Sequence, residues 1–320
     1  MRSVWMFEGR CYAERWPLRT AFVISRGART EAEVVVVELS AEGVTGIGEC
    51  TPYPRYGESV ESVLAEVSSV LPSLRDGLTR EQLQEVMPAG AARNAVDCAL
   101  EDWQQQKSGR GFGGPAWLPT VQTLVVGDAD AMAQAAQAAA DSGVSVLKLK
   151  LNHERVLERV AAVRAAAPEC QLVIDANESW SEDGLPALCE SLAEQGVAML
   201  EQPLPSAEDQ YLAQFTHPLP ICADESCHTR ADLPRLLGRY DMVNIKLDKT
   251  GGVREALLLE QAASQQGFQI MLGCMLCTSR AIRAAWPLGS SARFVDLDGP
   301  TWLAKDVDPL RFADGRVYWT

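Results

Sequence analysis

Residues 171–201 read QLVIDANESWSEDGLPALCESLAEQGVAMLE, and this stretch decides the fold. Two short apolar runs, at 171–175 and 197–201, each end in an acidic residue, and a helical pattern fills residues 183–195 between them. A strand, a helix and a second strand in this order predict a βαβ unit with parallel strands. We therefore expect an acidic residue at the carboxyl end of each strand.

The same unit recurs through the rest of the chain. Further helical patterns occur at residues 129–140, 154–167 and 253–265. Eight strands alternating with helices are typical of a (β/α)₈ barrel, although the count alone leaves a doubly wound open sheet as an alternative. The eight apolar runs lie at residues 121–126, 144–151, 171–175, 197–201, 221–224, 242–247, 269–272 and 293–297.

The first part of the chain has a different pattern. The valine-rich residues 29–39 and the run 47–50 predict two strands, and apolar residues then recur at helical spacing through 59–107. Strands followed by helices predict a small α+β domain. We expect this domain to span residues 1–115, ending in the glycine-rich connector 108–115, and the barrel to span 116–300. The segment 301–320 has no helical pattern and is expected to complete the first domain.

Composition limits the possible partners. The formal net charge of −14 argues against nucleic acid or an anionic membrane as the main partner. No apolar run approaches the roughly 18 residues of a membrane span, and Glu8 interrupts the segment where a signal peptide would be apolar, so we predict a cytoplasmic protein. The nine cysteines include one pair spaced as Cys274-Met-Leu-Cys277 and no second pair, which favours reduced core thiols over a zinc site. The sequence leaves a homo-oligomer open.

Five ionisable residues stand at or near the carboxyl ends of consecutive predicted strands. They are separated by 25, 26, 23 and 22 residues, so each follows the last by about one βα unit. At that spacing they share one height in the barrel, at the mouth where barrel enzymes place their active sites. The five residues are Lys150, Asp175, Glu201, Asp224 and Lys246.

The three acidic residues of this set predict a metal site. Carboxylates on neighbouring strands would repel one another in a narrow mouth, and a cation removes that cost. Oxygen ligands with open positions for water or substrate are what Mg²⁺ prefers, and the absence of histidine argues against zinc. We expect Asp175, Glu201 and Asp224 to hold one Mg²⁺ per subunit.

The lysines predict a proton transfer. Lys148 and Lys150 share one face of their strand, and repulsion between them, strengthened by the metal, is expected to lower a lysine pKa and provide a base. Lys246 comes from the opposite side of the barrel. A substrate carboxylate held at the metal would have one lysine on each face, so that one removes an α-proton and the other returns it. We expect inversion at the α-carbon, with Lys150 and Lys246 as catalytic residues.

Five short motifs at these positions resemble the signature of the enolase superfamily, muconate-lactonising subgroup. The resemblance covers essentially the whole chain, and it implies that the α+β domain caps the barrel mouth. It also implies that Asn177 and Gln202 orient the metal ligands, and that Lys148 contacts the substrate carboxylate. The motifs are Lys148-Leu-Lys150, Asp175-Ala-Asn177, Glu201-Gln-Pro203, Asp224-Glu-Ser226 and Asn244-Ile-Lys246.

Within the superfamily the chain looks most similar to dipeptide epimerases. The motif Asp296-Leu-Asp298 resembles the pair that holds the α-ammonium of the first residue, and Arg26 resembles the arginine that meets a glutamate side chain, with Arg29 as an alternative. The resemblance implies inversion of the glutamate α-carbon in L-Ala-D-Glu and L-Ala-L-Glu, in the recycling or degradation of murein peptides. Further substrate contacts are expected from Thr123, Cys274, Met275 and Tyr53, with a structural role as the alternative for Tyr53.

Other functions stay open at this point. An N-acylamino-acid racemase, an o-succinylbenzoate synthase or a muconate cycloisomerase would share the metal ligands and lysines, but would leave Asp296 and Asp298 without an ammonium partner. A non-catalytic barrel protein would be expected to have lost one of the five mouth residues. No histidine stands at the sixth or seventh strand end, which disfavours the mandelate-racemase subgroup. We expect Lys249, beyond the sixth strand, to be solvated or to start a helix.

Overall fold

The computed structural model describes residues 5–109 and 113–319. Its first part is an antiparallel sheet of three strands, β1 (Glu8–Ile24), β2 (Gly27–Ala41) and β3 (Val44–Cys50), in that order. Three helices follow: α1 (Val60–Arg75), α2 (Arg80–Val86) and α3 (Ala91–Ser108). Strands followed by helices confirm the predicted α+β domain. Of the connector 108–115, residues 110–112 lie outside the described chain.

The sheet is buried on both faces at its centre. Residues 34–37 are four consecutive valines, and all are buried although successive strand residues point to opposite faces. Val35 and Val37 pack with α1 and α3 in one apolar cluster. Gly46 and Gly48 of β3 let α3 approach closely, because a Cβ at either position would overlap the α3 backbone. The sheet is therefore held firmly between its own helices and the rest of the protein.

Eight parallel strands form the second part, each hydrogen-bonded to the next in chain order. The backbone N–H of Val121 donates to the carbonyl of Val295 at 2.8 Å, which links the first strand of the ring to the last and excludes the open-sheet alternative. The strands are β5 (Gln122–Leu124), β6 (Val146–Lys150), β7 (Gln171–Asp175), β8 (Val197–Glu201), β9 (Ile221–Ala223), β10 (Met242–Ile245), β11 (Gln269–Gly273) and β12 (Phe294–Asp296). All eight predicted strands are present, so the predicted barrel is confirmed.

Helices surround this barrel, and they are shorter at some positions than a regular (β/α)₈ fold would have. After β8 a 3₁₀ helix (Asp209–Gln214) takes the place of an α-helix. A separate cluster of side chains, including Met199, Met242 and Met271, fills the barrel interior. The α-helices are α4 (Ala129–Asp141), α5 (Val156–Ala166), α6 (Leu185–Glu194), α7 (Leu233–Leu236), α8 (Leu247–Thr250), α9 (Val253–Gln265) and α10 (Ser279–Ala285), and further 3₁₀ turns lie at Pro54–Tyr56, Arg230–Asp232, Trp286–Leu288 and Gly299–Trp302.

The tail beyond residue 300 divides between the two parts of the molecule, whereas we expected it to complete the first domain. Leu303 bridges to Leu18 of β1, as expected for a return to the capping sheet. The last strands, β13 (Arg311–Ala313) and β14 (Arg316–Tyr318), instead form a small sheet with β4 (Trp117–Pro119), just before the barrel begins. The exact boundary between the domains stays a prediction.

Two features of composition bear on the predicted class. All nine cysteines are free thiols, and seven of them are buried, in line with reduced core residues. Within residues 5–109 and 113–319, every helix is too short or too polar to cross a bilayer.

Candidate active site

Three carboxylates meet at the mouth of the barrel. Asp175 and Glu201 end β7 and β8, and Asp224 directly follows β9. Asp175 pairs with Glu201 in the ladder between β7 and β8, so the parallel register itself brings their side chains together. All three are buried, and each offers an oxygen atom within 4.8 Å of the others. Oxygens this close can share one cation.

The composition of this cluster fits a hard divalent cation. Burying three carboxylates together is costly unless positive charge compensates them. Oε2 of Glu201 is buried without a hydrogen bond among the described residues, although Nζ of Lys148 lies 2.7 Å from it. In the part of the chain that the structure describes, no histidine or cysteine belongs to the group. Carboxylate oxygens alone suit Mg²⁺ better than zinc, so these residues could hold a magnesium ion.

Three lysines reach the same carboxylates from two sides. Lys148 and Lys150 lie on β6, and Lys246 follows β10, on the opposite side of the ring. Nζ of Lys150 donates to Oδ2 of Asp175 at 2.5 Å, and Nζ of Lys246 donates to Oδ2 of Asp224 at 2.7 Å. A small molecule lying over the carboxylates would have one of these ammonium groups on each side.

The carboxylates govern the protonation of two of these lysines. Burial disfavours the charged form of Lys148, but its carboxylate neighbours, led by Asp296 and Glu201, outweigh burial and raise its pKa well above the usual range. The pKa of Lys246 is raised against burial for the same reason. At Lys148 contact with carboxylates therefore outweighs repulsion from Lys150, while the lowered lysine pKa expected beside a bound metal stays a prediction.

The three carboxylates differ in how well positive charge compensates them. Burial alone would raise the pKa of each, but lysines outweigh it at two of the three. The pKa of Asp175 is lowered by the two β6 lysines, and that of Asp224 is held well below its usual range by Lys246 and Lys249. At Glu201 burial and the charge of Asp175 dominate, and its pKa is raised. Glu201 is the member of the set that would gain most from a bound cation.

Lys249 is a further cation beneath the site, and sequence reasoning missed it. Its ammonium donates to the carboxylate of Asp224 at 2.7 Å, to the carbonyl of Asp224 at 2.6 Å and to the carbonyl of Asn244 at 2.8 Å. It is fully buried, so the expectation of a solvated side chain is wrong, while its place in the short helix α8 agrees with the alternative. With all three donors in use, Lys249 acts as a fixed counter-ion of Asp224.

A buried polar network supports Asp224 from behind. Oε1 of Gln202 accepts from the backbone N–H of Asp224 at 2.9 Å and of Ser226 at 3.1 Å, while its amide nitrogen donates to Tyr240 and Ser226. Both hydroxyl groups also donate to the buried carboxylate of Asp209, at 3.1 and 2.7 Å. Gln202 therefore fixes the backbone that carries Asp224, which agrees with its expected orienting role.

The turns after β7 and β8 have an unusual backbone. Asn177, Glu178 and Gln202 have φ angles of 46°, 63° and 36°, in the left-handed region that residues other than glycine rarely adopt. Such conformations cost of order 1–3 kcal/mol each and persist where surrounding structure holds them. The turn lets the N–H of Asn177 donate to Oδ1 of Asp175 at 2.9 Å, so Asn177 orients this carboxylate through its main chain.

Two further carboxylates, at the end of β12, lie on one side of the same cavity. Oδ2 of Asp296 pairs with Nζ of Lys148 at 2.7 Å. Oδ2 of Asp298 accepts from the backbone N–H of Thr123 at 2.7 Å, and within the described chain Asp298 forms no ion pair. Burial, followed by the charge of Asp296, raises the pKa of Asp298 to about 7. Asp298 is therefore a buried acceptor with an open place for a cation.

A cavity of about 440 Å³ lies between these groups and two loops of the first domain. Of the residues with expected roles, Glu201, Asp175 and Gln202 do not line its wall, and Cys274 and Met275 line it from the loop after β11. The other residues with expected roles that line it are Arg26, Arg29, Tyr53, Thr123, Lys148, Lys150, Asn177, Asp224, Lys246, Asp296 and Asp298.

The roof of the cavity consists of a first capping loop, residues 25–30, and a second capping loop, residues 51–56. Arg26 pairs with Oε1 of Glu225 at 2.8 Å and donates to the hydroxyl of Tyr53 at 2.9 Å. The guanidinium of Arg29 stacks over the ring of Tyr53 at 5.3 Å and forms no ion pair within the described residues. Arg26 thus already has a carboxylate partner, whereas Arg29 does not.

Sequence reasoning also missed two acidic residues that hold this roof. Glu225 stands inside the motif Asp224-Glu-Ser226, and its buried carboxylate faces Arg26. Glu178 directly follows the motif Asp175-Ala-Asn177, and it pairs with Arg55 at 2.7 Å. An acidic residue next to a ligand motif was a visible signal, but its partner in the other domain could not be read from the sequence.

A capped parallel barrel whose mouth holds three carboxylates between lysines defines an enolase-type enzyme scaffold. Comparison with known families agrees with this class. Residues 130–318 match the family described as Enolase C-terminal domain-like, and residues 6–110 match the N-terminal domain of Mandelate racemase / muconate lactonizing enzyme. The chain therefore belongs to the mandelate racemase and muconate lactonizing enzyme family of the enolase superfamily.

Individual relatives are also similar over nearly their full length. L-Ala-D/L-Glu epimerase from Escherichia coli (strain K12) is 58% identical over 325 aligned positions, covering 99% of this chain and 100% of the relative. N-acetyl-D-glutamate racemase from Pseudoalteromonas sp. is 40% identical over 292 positions, covering 89% of this chain and 92% of the relative.

Two solved structures of similar proteins contain ligands. An enolase family member from Agrobacterium tumefaciens with homology to dipeptide epimerases, with bound sodium and L-Ala-L-Glu, superposes with a TM-score of 0.93 at 45% identity, covering 98% of this chain and 97% of that one. A dipeptide epimerase from Enterococcus faecalis V583, complexed with Mg and L-Leu-L-Tyr, gives a TM-score of 0.90 at 27% identity, covering 99% and 98%.

Proposed function

We propose that the protein is a dipeptide epimerase that inverts the α-carbon of the glutamate residue in L-Ala-D-Glu and L-Ala-L-Glu, using Mg²⁺. One observation carries the proposal: a buried carboxylate triad between two opposed lysines opens into a cavity with an unpaired aspartate, Asp298. The triad and its lysines suit proton transfer at a carbon next to a carboxylate, and Asp298 suits the binding of a free ammonium group. The relative from Escherichia coli, at 58% identity, supports the same substrate.

Asp175, Glu201 and Asp224 would hold the magnesium ion, one per subunit. When bound, the ion supplies positive charge that stabilises the additional negative charge on a substrate carboxylate after an α-proton has left. It would also compensate the carboxylates that Lys150 and Lys246 contact in this structure. Those lysines would then be released to face the substrate.

Lys150 and Lys246 would move the proton. Each is anchored at its strand end and faces the carboxylate cluster from its own side, so the two ammonium groups reach opposite faces of a substrate in the cavity. The lysine in its neutral form takes the α-proton, and the charged lysine on the other face donates one to the same carbon. Because the new bond forms on the face opposite the broken one, the configuration inverts.

Asp298 and Asp296 would hold the α-ammonium of the first residue. Asp296 is partly neutralised by Lys148, whereas Asp298 is contacted by the neutral Thr123 and forms no ion pair within the described chain. An ammonium group placed beside Asp298 would provide its missing counter-charge, and charge-assisted hydrogen bonds of this kind are stronger than neutral ones. This is why we favour a substrate with a free amino group.

The glutamate side chain would meet an arginine of the first capping loop, either Arg26 or Arg29. Arg26 is held by Glu225, so a substrate carboxylate would have to share its guanidinium. Arg29 lines the cavity and has no carboxylate partner within the described chain. Changing each arginine to methionine and measuring KM for L-Ala-D-Glu against a dipeptide with a neutral second residue would separate the two roles.

Racemisation of N-acylated glutamate is the second candidate, favoured by the 40% identity to N-acetyl-D-glutamate racemase. Such a substrate has no ammonium group, so it would leave Asp298 buried and unpaired. We therefore propose the dipeptide as the main substrate. Since L-Ala-D-Glu is a fragment of peptidoglycan, we further propose a role in the recycling or degradation of murein peptides.

Incubation with L-Ala-D-Glu and Mg²⁺ in D₂O, followed by NMR of the glutamate α-proton, tests the proposal. We expect loss of that signal together with the appearance of L-Ala-L-Glu. Exchange without inversion would mean that only one of the two lysines transfers a proton. Absence of exchange with the dipeptide, together with exchange of N-acetyl-D-glutamate under the same conditions, would refute the dipeptide in favour of the second candidate.

A further inference from the structure

We propose that Glu178 is a positioning residue that holds both capping loops closed over the active-site cavity. Glu178 belongs to the barrel, in the turn after β7, while both capping loops belong to the first domain. The proposed contribution to turnover rests on the dipeptide epimerase function given above. The proposed contribution to loop closure does not depend on the substrate.

The second capping loop is bound to Glu178 through Arg55. Nε of Arg55 donates to Oε2 at 2.7 Å, and Nη2 donates to Oε1 at 2.8 Å. These two parallel hydrogen bonds form the bidentate arrangement that makes arginine–carboxylate pairs directional as well as strong. Arg55 lies in the 3₁₀ turn Pro54–Tyr56, next to the aromatic residues that cover the cavity.

The first capping loop reaches the same turn through Arg26. Nη1 of Arg26 lies 3.4 Å from Oε2 of Glu178 and donates to the carbonyl of Asn177 at 2.8 Å. Nη2 donates to the hydroxyl of Tyr53 in the second loop at 2.9 Å. Glu178 and the carbonyl before it thus gather two arginines, one from each loop, and the loops are also joined to each other.

The surroundings of Glu178 favour these contacts. Its side chain is only 7% exposed, so water screens its pairs less than it would at an open surface. Oε1 also accepts from the backbone N–H of Ser206 at 2.9 Å, which fixes the carboxylate from the barrel side. Arginine pairs at a buried, oriented carboxylate are expected to contribute more than exposed ion pairs.

The backbone links this clamp, which consists of Glu178, Arg55 and Arg26, to the proposed metal site. Asn177 and Glu178 both have left-handed φ angles, and the same turn brings the N–H of Asn177 to Oδ1 of Asp175. The same turn therefore directs the carboxylate of Asp175 into the triad and the carboxylate of Glu178 toward the capping loops. Closure of the roof and the geometry of the triad depend on the same few residues.

The experiment is a double-mutant cycle with Glu178→Gln, Arg55→Met and the combined variant. Deuterium uptake of peptides covering the two capping loops is measured without substrate, and kcat and KM are measured with L-Ala-D-Glu. We expect each single change to increase exchange in the second capping loop, and Glu178→Gln to increase it in the first capping loop as well. We also expect each to raise KM about tenfold with kcat changed by less than a factor of three, and the combined variant to behave like Glu178→Gln, which already removes the contacts of both arginines.

Glu158→Gln is the matched control, because it removes an exposed carboxylate that pairs with Arg155 at the start of α5, and neither residue lines the cavity. It should leave loop exchange and KM unchanged. Unchanged loop exchange in both Glu178→Gln and Arg55→Met would overturn the clamp, and so would KM effects that multiply in the combined variant. If the wild-type protein does not turn over the dipeptide, the proposed function fails while the exchange measurements still decide the clamp.

Discussion

Replacing Asp298 with asparagine is expected to weaken the use of a free-amino dipeptide while stabilising the protein at alkaline pH. Asp298 is buried, and its bond from the N–H of Thr123 can be kept by the oxygen of an asparagine amide. What the change removes is the negative charge facing the cavity. Hydrogen bonds to charged groups contribute about 1.5–3 kcal/mol, so kcat/KM for L-Ala-D-Glu should fall about 10-fold to 150-fold.

The pH dependence of the wild-type protein gives a second measurement of the same group. With a pKa raised to about 7, Asp298 loses its charge as the pH falls below 7. The substrate amine is protonated below about pH 8. Between these limits both partners are charged, so kcat/KM should peak near pH 7–8 and fall by about tenfold per pH unit below 7. In Asp298→Asn this acidic limb should disappear.

The stability of the folded protein at alkaline pH should rise in Asp298→Asn, whereas its activity should fall. The pKa of Asp298 is higher in the folded protein than the usual value of 3.8, so between about pH 4 and 7 the folded state binds more protons than the unfolded chain. Stability from this group is therefore present below pH 4 and lost as the pH rises to 7. The Asp298→Asn variant should melt at a higher temperature than the wild type at pH 8.

N-acetyl-L-Ala-D-Glu serves as the control substrate, because it has no ammonium group for Asp298 to bind. Its turnover, however slow, should be unaffected by Asp298→Asn. An equal loss with both substrates, or an acidic limb that persists in the variant, would refute the role assigned to this carboxylate.

Three further predictions concern the proton transfer and the metal site. Lys246→Met should abolish inversion in D₂O yet leave α-proton exchange in one epimer through Lys150, and loss of exchange in both epimers would argue against two independent lysines. In the wild type, Mg²⁺ at 100 times its dissociation constant should raise the free energy of unfolding by about 2.7 kcal/mol, a gain that EDTA reverses and that Glu201→Gln lacks in a thermal melt. Asp209→Asn, which disrupts the network behind Gln202, should weaken Mg²⁺ binding about 10-fold to 100-fold by calorimetry, and an unchanged affinity in a folded variant would contradict the network's role.

The barrel could be predicted because the signal repeats. Each buried parallel strand is a short apolar run, and each run ends within two residues of an observed strand end, coinciding with it at Asp175 and Glu201. Register then follows, since consecutive parallel strands in a closed barrel must place their carboxyl ends together. The meeting of the triad and both lysines at the barrel mouth could be inferred from spacing alone, while the role of each residue stays a prediction.

The first strand could not be predicted in the same way. Residues 8–24 form β1, yet their alternation is between exposed and half-buried positions, with charged residues such as Arg10 and Glu14 among them. An edge strand that covers little apolar surface carries little hydrophobic pattern. The pairing of β1 with β2 is made by backbone hydrogen bonds, which the side-chain pattern of the sequence does not reveal.

The missed site residues share a physical reason. Lys249 is buried because a four-residue helix turns it beneath Asp224, and Glu178 contacts the capping loops through arginines that lie about 120 to 150 residues away. The proton affinity of Lys148 was likewise set by carboxylates from three other strands. Burial, pairing and proton affinity that arise from contacts between distant segments can be determined only from the three-dimensional structure. Strand ends, in contrast, can be predicted from the local sequence.

At the base of the roof, each part of the molecule has a buried carboxylate that accepts hydrogen bonds from the other part. Glu49 of β3 accepts from the backbone N–H of Thr278 at 2.7 Å, and Asp248 of the barrel accepts from the backbone N–H of Thr51 at 3.0 Å. Each acid is satisfied only by the opposite part, so the base of the second capping loop tolerates little change. Its tip, at residues 53–56, buries no acid of this kind and is held instead through Arg55 and Tyr53. Substitutions at the other tip residues can therefore reshape the cavity roof while the junction that aligns the two parts stays intact.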